Sequence, residues 1–254
     1  MTGPGTNTYI YGIKELAVID AGPALPEHVQ AILAAQEALN APITTLIASH
    51  THSDHSPAIA EVASQLDNPL LIGIPAATHQ KFEDLTFKPH HKPQDDEVIE
   101  LEAGPVRAIH TPGHVGNHVC YLIEEHQMLT TGDHLMNGST VVIVPPKGSM
   151  KDYIESLQKL QNYPIKVMAP GHGALIENPQ QVVEWTIDHR LQREAKVVAN
   201  LGEDPATLSQ LVRSVYDDVD KSMHSIAEYS LHAHLIKLAQ EGRAAESELG
   251  WHLI

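Results

Sequence analysis

The sequence is short of sulfur, of aromatic rings, of positive charge and of long apolar runs. Cys120 is the only cysteine in 254 residues, so no disulfide forms within the chain, which fits a reducing compartment. Aromatic residues are 4% of the chain, so the aliphatic members of its 42% hydrophobic fraction must build the core. Lys and Arg number 16 against 32 Asp and Glu, a net charge of −16. That balance argues against a broad electrostatic hold on nucleic acid or an anionic membrane. No apolar run approaches the ~20 residues of a membrane span, and Met1-Thr2-Gly3-Pro4-Gly5 shows no basic-then-apolar secretory pattern. The expectation is a cytoplasmic protein without membrane or DNA partners, organised as one large domain or as one domain with a small appendage.

Histidine, in contrast, is abundant: there are 18. The run His50-Thr51-His52-Ser53-Asp54-His55 packs three imidazoles and a carboxylate directly behind an apolar, strand-like segment. Imidazole nitrogen and carboxylate oxygen are ligands for zinc and its first-row neighbours. Alternation along an extended segment puts His50 and His52 on one side, while the adjacent Asp54 and His55 diverge and can serve a second ion. Two metals in one site point to hydrolysis.

Further ligand types stand at predicted strand ends. Asp20 ends residues 16–19, His114 follows 106–110, Asp133 follows 128–130, and His172 follows 165–169. Glycine sits beside each of the last three, where a tight turn would swing the side chain back over the sheet edge. One such residue alone reads as an ordinary turn or surface group. His79, His90, His91, His126, His134, His189, His224, His232 and His234 keep that ordinary reading, because none has a ligand-like neighbourhood. The coincidence of five strand ends each offering an acid or imidazole is what argues for a metal site.

Hydrophobic periodicity predicts alternating short strands and helices in the first part. Strands are expected at 8–11, 16–19, 44–48, 69–72, 97–101, 106–110, 118–123, 128–131 and 165–169. Helices are expected at 26–40, 57–66 and 153–161, and residues 84–96 read as a mobile polar loop. After Pro179 the pattern is helical over 180–201, 208–216 and 224–241, with an apolar tail at 247–254 that can dock or pair. The expected domains are residues 1–178 and residues 179–254.

The series Asp20, His50-x-His52-x-Asp54-His55, His114, Asp133 and His172 resembles that of the metallo-β-lactamase-fold hydrolases. The resemblance implies an α/β fold, an αββα sandwich with two metals between its sheets. It implies that His50, His52 and His114 hold one ion, that Asp54, His55 and His172 hold the other, and that Asp133 bridges them. Asp20 would orient the ligand loop by hydrogen bonds. Two Zn²⁺ ions are favoured, and iron or manganese suit the same donors. A narrower resemblance, to the β-lactamase-like protein 2 group, rests on Gly5-Thr6-Asn7-Thr8-Tyr9, Thr111-Pro112-Gly113-His114 with His118, Pro170-Gly171-His172-Gly173, and Leu208–Val212. It implies a small winged-helix-like domain at the C-terminus. Two departures are Ser56-Pro57-Ala58 in place of a glycine-rich step, and an N-terminus lacking most of a first strand.

The mechanism this implies is attack on an ester-type or phosphodiester bond by a metal-activated water, with Asp54 accepting or shuttling a proton and His118 as a substrate-side donor. The substrate classes in view are a small-molecule ester, thioester or lactone, a β-lactam as a side activity, and single-stranded RNA. RNA is disfavoured because no stripe of basic and aromatic residues is present. Residues 180–254 hold seven Lys and Arg against twelve Asp and Glu, so the helical part is expected to wall the active-site cleft or make a homodimer contact, not to read DNA. A non-catalytic binding module would show lost ligands, and none is lost.

Overall fold

The structure, a computed structural model, describes residues 5–77 and 83–254. His79 and the first four residues therefore lie outside it, as does part of the loop 75–96 expected to wall the pocket. The chain divides into two compact units. The first holds the described residues up to Thr111 together with Asn117–Ser139 and Pro164–Pro179; the second holds Pro112–Gly116, Thr140–Tyr163 and Gln180–Ile254.

The first unit is a two-sheet sandwich. One sheet has the order β1 (Tyr9–Tyr11), β2 (Leu16–Ile19), β3 (Ile43–Ile47), β4 (Leu70–Ile72). β1 is antiparallel to β2, and β2, β3 and β4 run parallel. The other sheet has the order β5 (Glu97–Ile99), β6 (Val106–His110), β7 (Val119–Ile123), β8 (Met128–Gly132), β9 (Val167–Pro170), with β8 and β9 parallel. Parallel strands are buried on both faces and read as continuous apolar runs, and β2 is buried at every position. Ala17, Ile19, Ile47 and Ile72 pack between the sheets against Val106, Ala108, Val119 and Tyr121. The Tyr121 hydroxyl also donates to the Ala48 carbonyl at 3.2 Å.

The opposite face of the first sheet is covered by α1 (Pro26–Leu39) and α2 (Ala58–Ser64), whose Val29, Ile32, Ile59 and Val62 join Val18, Leu46 and Ala48 in one core. Pro26 starts α1 where its missing N–H costs nothing, and Asn40 stops it in the left-handed region at φ 51°. The 84–96 segment, expected to be mobile, is tied by backbone bonds from Asp84 N–H to Thr51 O and from His90 and His91 N–H to Leu71 O.

The second unit is mainly helical: α3 (Met150–Leu160), α4 (Pro179–Asn200, from Gln180 on), α5 (Leu208–Val215) and α6 (His224–Gln240). Ser149 caps α3 by accepting from Asp152 N–H, and Thr207 and Gln210 form a capping box on α5. The apolar tail pairs as β11 (Gly250–Leu253) with β10 (Ala244–Ser247) in an antiparallel hairpin. Val197, Leu211, Val215, Leu231, Leu235, Leu238 and Trp251 form the core of this helix-and-hairpin group. Among the described residues no helix is long and apolar enough to cross a membrane.

Candidate active site

In the first unit the ligand types gather at the C-terminal ends of parallel strands, the usual place for chemistry in open α/β sheets. Asp20 follows β2, the histidine run follows β3, Asp133 follows β8, and His172 follows β9. Two groups of donor atoms form there: His50, His55 and Asp133, and Asp54, His55 and His172, with the atoms of each group within 4.8 Å of one another. His55 Nε2 and His172 Nε2 both lie 3.3 Å from Asp133 Oδ1, and His172 Nε2 is also 3.3 Å from Asp54 Oδ2. Neither ring nitrogen makes a hydrogen bond, although both are buried. Buried polar atoms are normally satisfied. Nitrogens and carboxylate oxygens that converge without hydrogen-bonding geometry suit a cation between them, and the N/O donor set is that of zinc, iron or manganese.

The other ring nitrogens show the same logic. Asp20, bent into the left-handed region at φ 55°, holds the loop from beneath. Its Oδ1 accepts from Ser49 N–H at 2.7 Å, and its Oδ2 accepts from the Ser49 hydroxyl at 2.7 Å. His55 Nδ1 lies 3.0 Å from the same Oδ2. His50 Nδ1 is 3.0 Å from Ser49 Oγ, and His172 Nδ1 is 2.9 Å from the Gly5 carbonyl. An acceptor at Nδ1 keeps the proton there and turns the Nε2 lone pair outward. His52 is turned the other way, with its Nδ1 3.0 Å from His50 Nε2. In the second unit, His114 has its Nδ1 3.0 Å from the Val142 carbonyl, the arrangement seen at His50, His55 and His172.

Charge at the cluster is strongly coupled. Burial disfavours charge on His55, but Asp20 and Asp133 reverse this and hold the ring well above its ordinary range. Burial likewise opposes the Asp133 carboxylate, yet His172 and His55 hold it well below the usual range. His172 is carried from 6.5 to about 10 because Asp133 and Asp54 outweigh its desolvation. His50 moves down, through burial and then through repulsion from His55 and His52. The carboxylates thus demand positive charge, which protons or metal ions can supply.

Glycine makes the approach possible. A Cβ on Gly171 would lie 2.6 Å from His55 Cε1 and 2.9 Å from Asp133 Oδ1. Gly132, at φ +44°, would meet Ser49 Oγ at 2.5 Å and His118 Nε2 at 2.7 Å.

His118 does different work from the substrate-side donor expected of it. It is buried at 1% exposure. Its Nδ1 is 2.9 Å from Thr111 Oγ1, and its Nε2 accepts from Asp133 N–H at 3.2 Å. A ring so enclosed steadies the Asp133 turn and has no face to offer a substrate. Sequence reasoning also passed over Ser49, Glu83, and the carbonyls of Gly5 and Val142. Glu83 accepts from Thr51 Oγ1 at 2.7 Å, and its Oε1 lies 3.9 Å from His52 Nε2. Ser49 could have been read from its place directly before the run; backbone acceptors leave no mark in a sequence.

The metallo-beta-lactamase superfamily model matches residues 1–172. The chain belongs to the metallo-beta-lactamase superfamily. A second model, the beta-lactamase associated winged helix domain, matches residues 207–251, the helix-and-hairpin group of the second unit. Curated relatives match as well. An atrochrysone carboxyl ACP thioesterase of Aspergillus fumigatus is 34% identical over 78% of this chain, which spans 60% of that relative's length. A protein of the same name from Emericella nidulans is 27% identical over 96% of this chain and 77% of its own. Among solved structures, a metallo-beta-lactamase family protein from Thermus thermophilus superimposes with a TM-score of 0.77 at 19% identity, covering 98% of this chain and 94% of that one. A beta-lactamase domain protein from Burkholderia ambifaria gives a TM-score of 0.80 at 15% identity, covering 97% and 86%. Family and relatives make this superfamily member a hydrolase with the metallo-beta-lactamase fold and a C-terminal winged-helix domain.

Proposed function

We propose that the protein is a metal-dependent thioesterase that releases the acyl group of a thioester by adding water to its carbonyl. The observation that carries the metal dependence is the convergence of His55 Nε2 and His172 Nε2 on Asp133 Oδ1 without hydrogen bonds. The choice of a thioester is supported by relatives named as acyl carrier protein thioesterases.

In this reading His50, His52 and His114 would hold one metal ion, Asp54, His55 and His172 would hold a second, and Asp133 would serve both. Zinc is the preferred ion, and iron or manganese fit the same donors. Bound metal supplies a nucleophile at neutral pH and a Lewis acid for the carbonyl oxygen. The chain's own groups do the rest. Asp20 and Ser49 fix the proton on Nδ1 of His55 and of His50. His118 holds the Asp133 turn. Asp54 is the more exposed carboxylate, with 32% of its side chain open against 13% for Asp133, which suits it to take the proton that water gives up on attacking the carbonyl and to pass it to the sulfur as the carbon–sulfur bond breaks and the thiol leaves.

The test is kcat/KM of the metal-loaded protein on acyl thioesters, small and carrier-bound, beside a lactone, a β-lactam, an aryl phosphodiester and single-stranded RNA. The thioesters are expected to exceed the others by orders of magnitude, and Asp54→Asn is expected to lose turnover while keeping metal. A phosphodiester or RNA that outruns the thioesters overturns the proposal.

A further inference from the structure

We propose that Arg190, buried in α4, is a positioning residue for His114 and acts on it through residues 141–142. The inference rests on the reading of His114 as a metal ligand.

The chain of contacts lies within the second unit. Arg190 Nη2 donates to the Val141 carbonyl at 2.5 Å. The next carbonyl, that of Val142, is the one 3.0 Å from His114 Nδ1. Residues 140–144 belong to no helix or strand, so no ladder fixes the carbonyls of Val141 and Val142, and the side chains of Arg190 and His114 are the groups that meet them. The loop that carries His114 is held from another side by α3. Ser149 N–H donates to Gly113 O at 2.8 Å, and Ser156 Oγ donates to Pro112 O at 2.8 Å. The backbone of Tyr153 presses so closely on Gly113 that a Cβ there would lie 2.5 Å from Tyr153 Cα. Arg190 joins both supports, because its guanidinium carbon also sits 5.3 Å from the Tyr153 ring centroid.

Energetics argue that Arg190 is there for more than packing. It is 3% exposed, its Nε makes no hydrogen bond, and no carboxylate pairs with it among the described residues. A cation buried without a counter-charge is costly, and an apolar residue of similar volume fills such a space at equal or greater stability. What an apolar residue cannot do is hold the Val141 carbonyl. If that carbonyl moves, its neighbour on His114 moves too, and with it the tautomer and aim of the ring.

The experiment compares Arg190→Met, Arg190→Lys, His114→Ala and the double variant Arg190→Met with His114→Ala, all in the full chain. Zinc affinity at each site is read by chelator competition, the ligand set by the absorption of the cobalt-substituted protein, and folding by thermal melting. His114→Ala is expected to weaken one site. Arg190→Met is expected to weaken that same site by about 10- to 100-fold and to shift the cobalt spectrum, with Arg190→Lys lying between it and the parent protein. The double variant is expected to be no worse than His114→Ala, since Arg190 acts through that ring. If His114→Ala weakens a site while Arg190→Met leaves both affinities and the spectrum unchanged, the proposal falls whatever the melting temperature does. Additive losses in the double variant overturn it as well. Should Arg190→Met fail to fold, unchanged affinities in Arg190→Lys overturn it in the same way. An unchanged His114→Ala would instead overturn the ligand reading itself.

Discussion

Two clusters of buried charge, one in each unit, are built on opposite plans. In the helical unit Glu194 is ringed by cations. Lys237 Nζ is 2.9 Å from it and 2.7 Å from Glu241, and Arg243 Nη1 is 3.3 Å from it. Burial opposes the Glu194 charge, but His234 and Lys237 take its carboxyl from 4.5 down to about 2. Burial takes His234 beside it from 6.5 down to about 4, so that ring stays neutral. This cluster supplies its own positive charge from Lys and Arg, which are permanent cations at neutral pH. In the sandwich the partners that hold Asp133 and Asp54 are imidazoles, which carry positive charge only by taking up protons. A network that carries its own fixed charges is structural even where single atoms in it, such as Glu194 Oε2 and His234 Nδ1, make no hydrogen bond; a network whose balance depends on what binds between its members is a site. Mere burial of acids and histidines would not have told the two apart.

The sharpest way to break the comparison is to remove one carboxylate from each cluster. Asp133→Ala should release metal and lower activity by orders of magnitude, because it deletes the oxygen on which two imidazoles converge. Glu194→Ala should lower stability instead. Lys237 keeps Glu241 as a partner, so the loss stays below the ~3 kcal/mol of an uncompensated buried charge, a fall in Tm of at most roughly 6–12 °C for a chain of this size, with metal content unaltered. Metal analysis beside thermal melts separates the outcomes, and a Glu194→Ala protein that loses metal would show that the distinction between the clusters is false.

The effect of pH sharpens it further, with opposite signs. His172 has its folded pKa raised from 6.5 to about 10 in the metal-free protein, so its stabilising contribution is complete below 6.5 and is lost as pH rises through about 10. Glu194 has its pKa lowered from 4.5 to about 2, so its contribution is complete above 4.5 and is lost as pH falls through about 2. A metal must displace the protons on His172 and His55, so zinc binding at neutral pH should release protons, and zinc affinity should climb with pH toward about 10. Calorimetry in buffers of different ionisation enthalpy measures that release. Binding without proton release would show that the imidazoles are already neutral.

Much of this was legible in the sequence, for reasons that can be named. A metal ligand must be a particular residue type, and a strand end must follow an apolar run, so Asp20, the histidine run, Asp133 and His172 stood out. The parallel strands behind them were equally plain, since β2 and β3 are buried on both faces. What escaped was the support beneath the ligands. The Gly5 carbonyl that orients His172 and the Val142 carbonyl that orients His114 are backbone atoms, present at every position and distinctive at none. His118 was expected at the substrate, whereas the fold sets its Nδ1 against Thr111 Oγ1 and its Nε2 against the Asp133 N–H. The grouping of residues 112–116 and 140–163 with the helical unit was equally hidden, because it depends on contacts between segments far apart in the chain.

The smallest expected effect tests whether the metal cluster itself has separable halves. Ser49 links them: its hydroxyl donates to Asp20 Oδ2 and lies 3.0 Å from His50 Nδ1. Ser49→Ala removes that hydroxyl alone. The Ser49 N–H remains on Asp20 Oδ1, and the bond between Asp20 and His55 is untouched. The His50 Nδ1–H then loses this acceptor, so the ring is freer to turn or to carry its proton on the other nitrogen. On the proposed ligand assignment, metal should therefore weaken by about 10-fold at the site that includes His50, while the site of Asp54, His55 and His172 keeps its affinity. Chelator competition resolving the two sites reads the difference. Equal weakening at both would mean that Ser49 acts through Asp20 and that the cluster responds as one body.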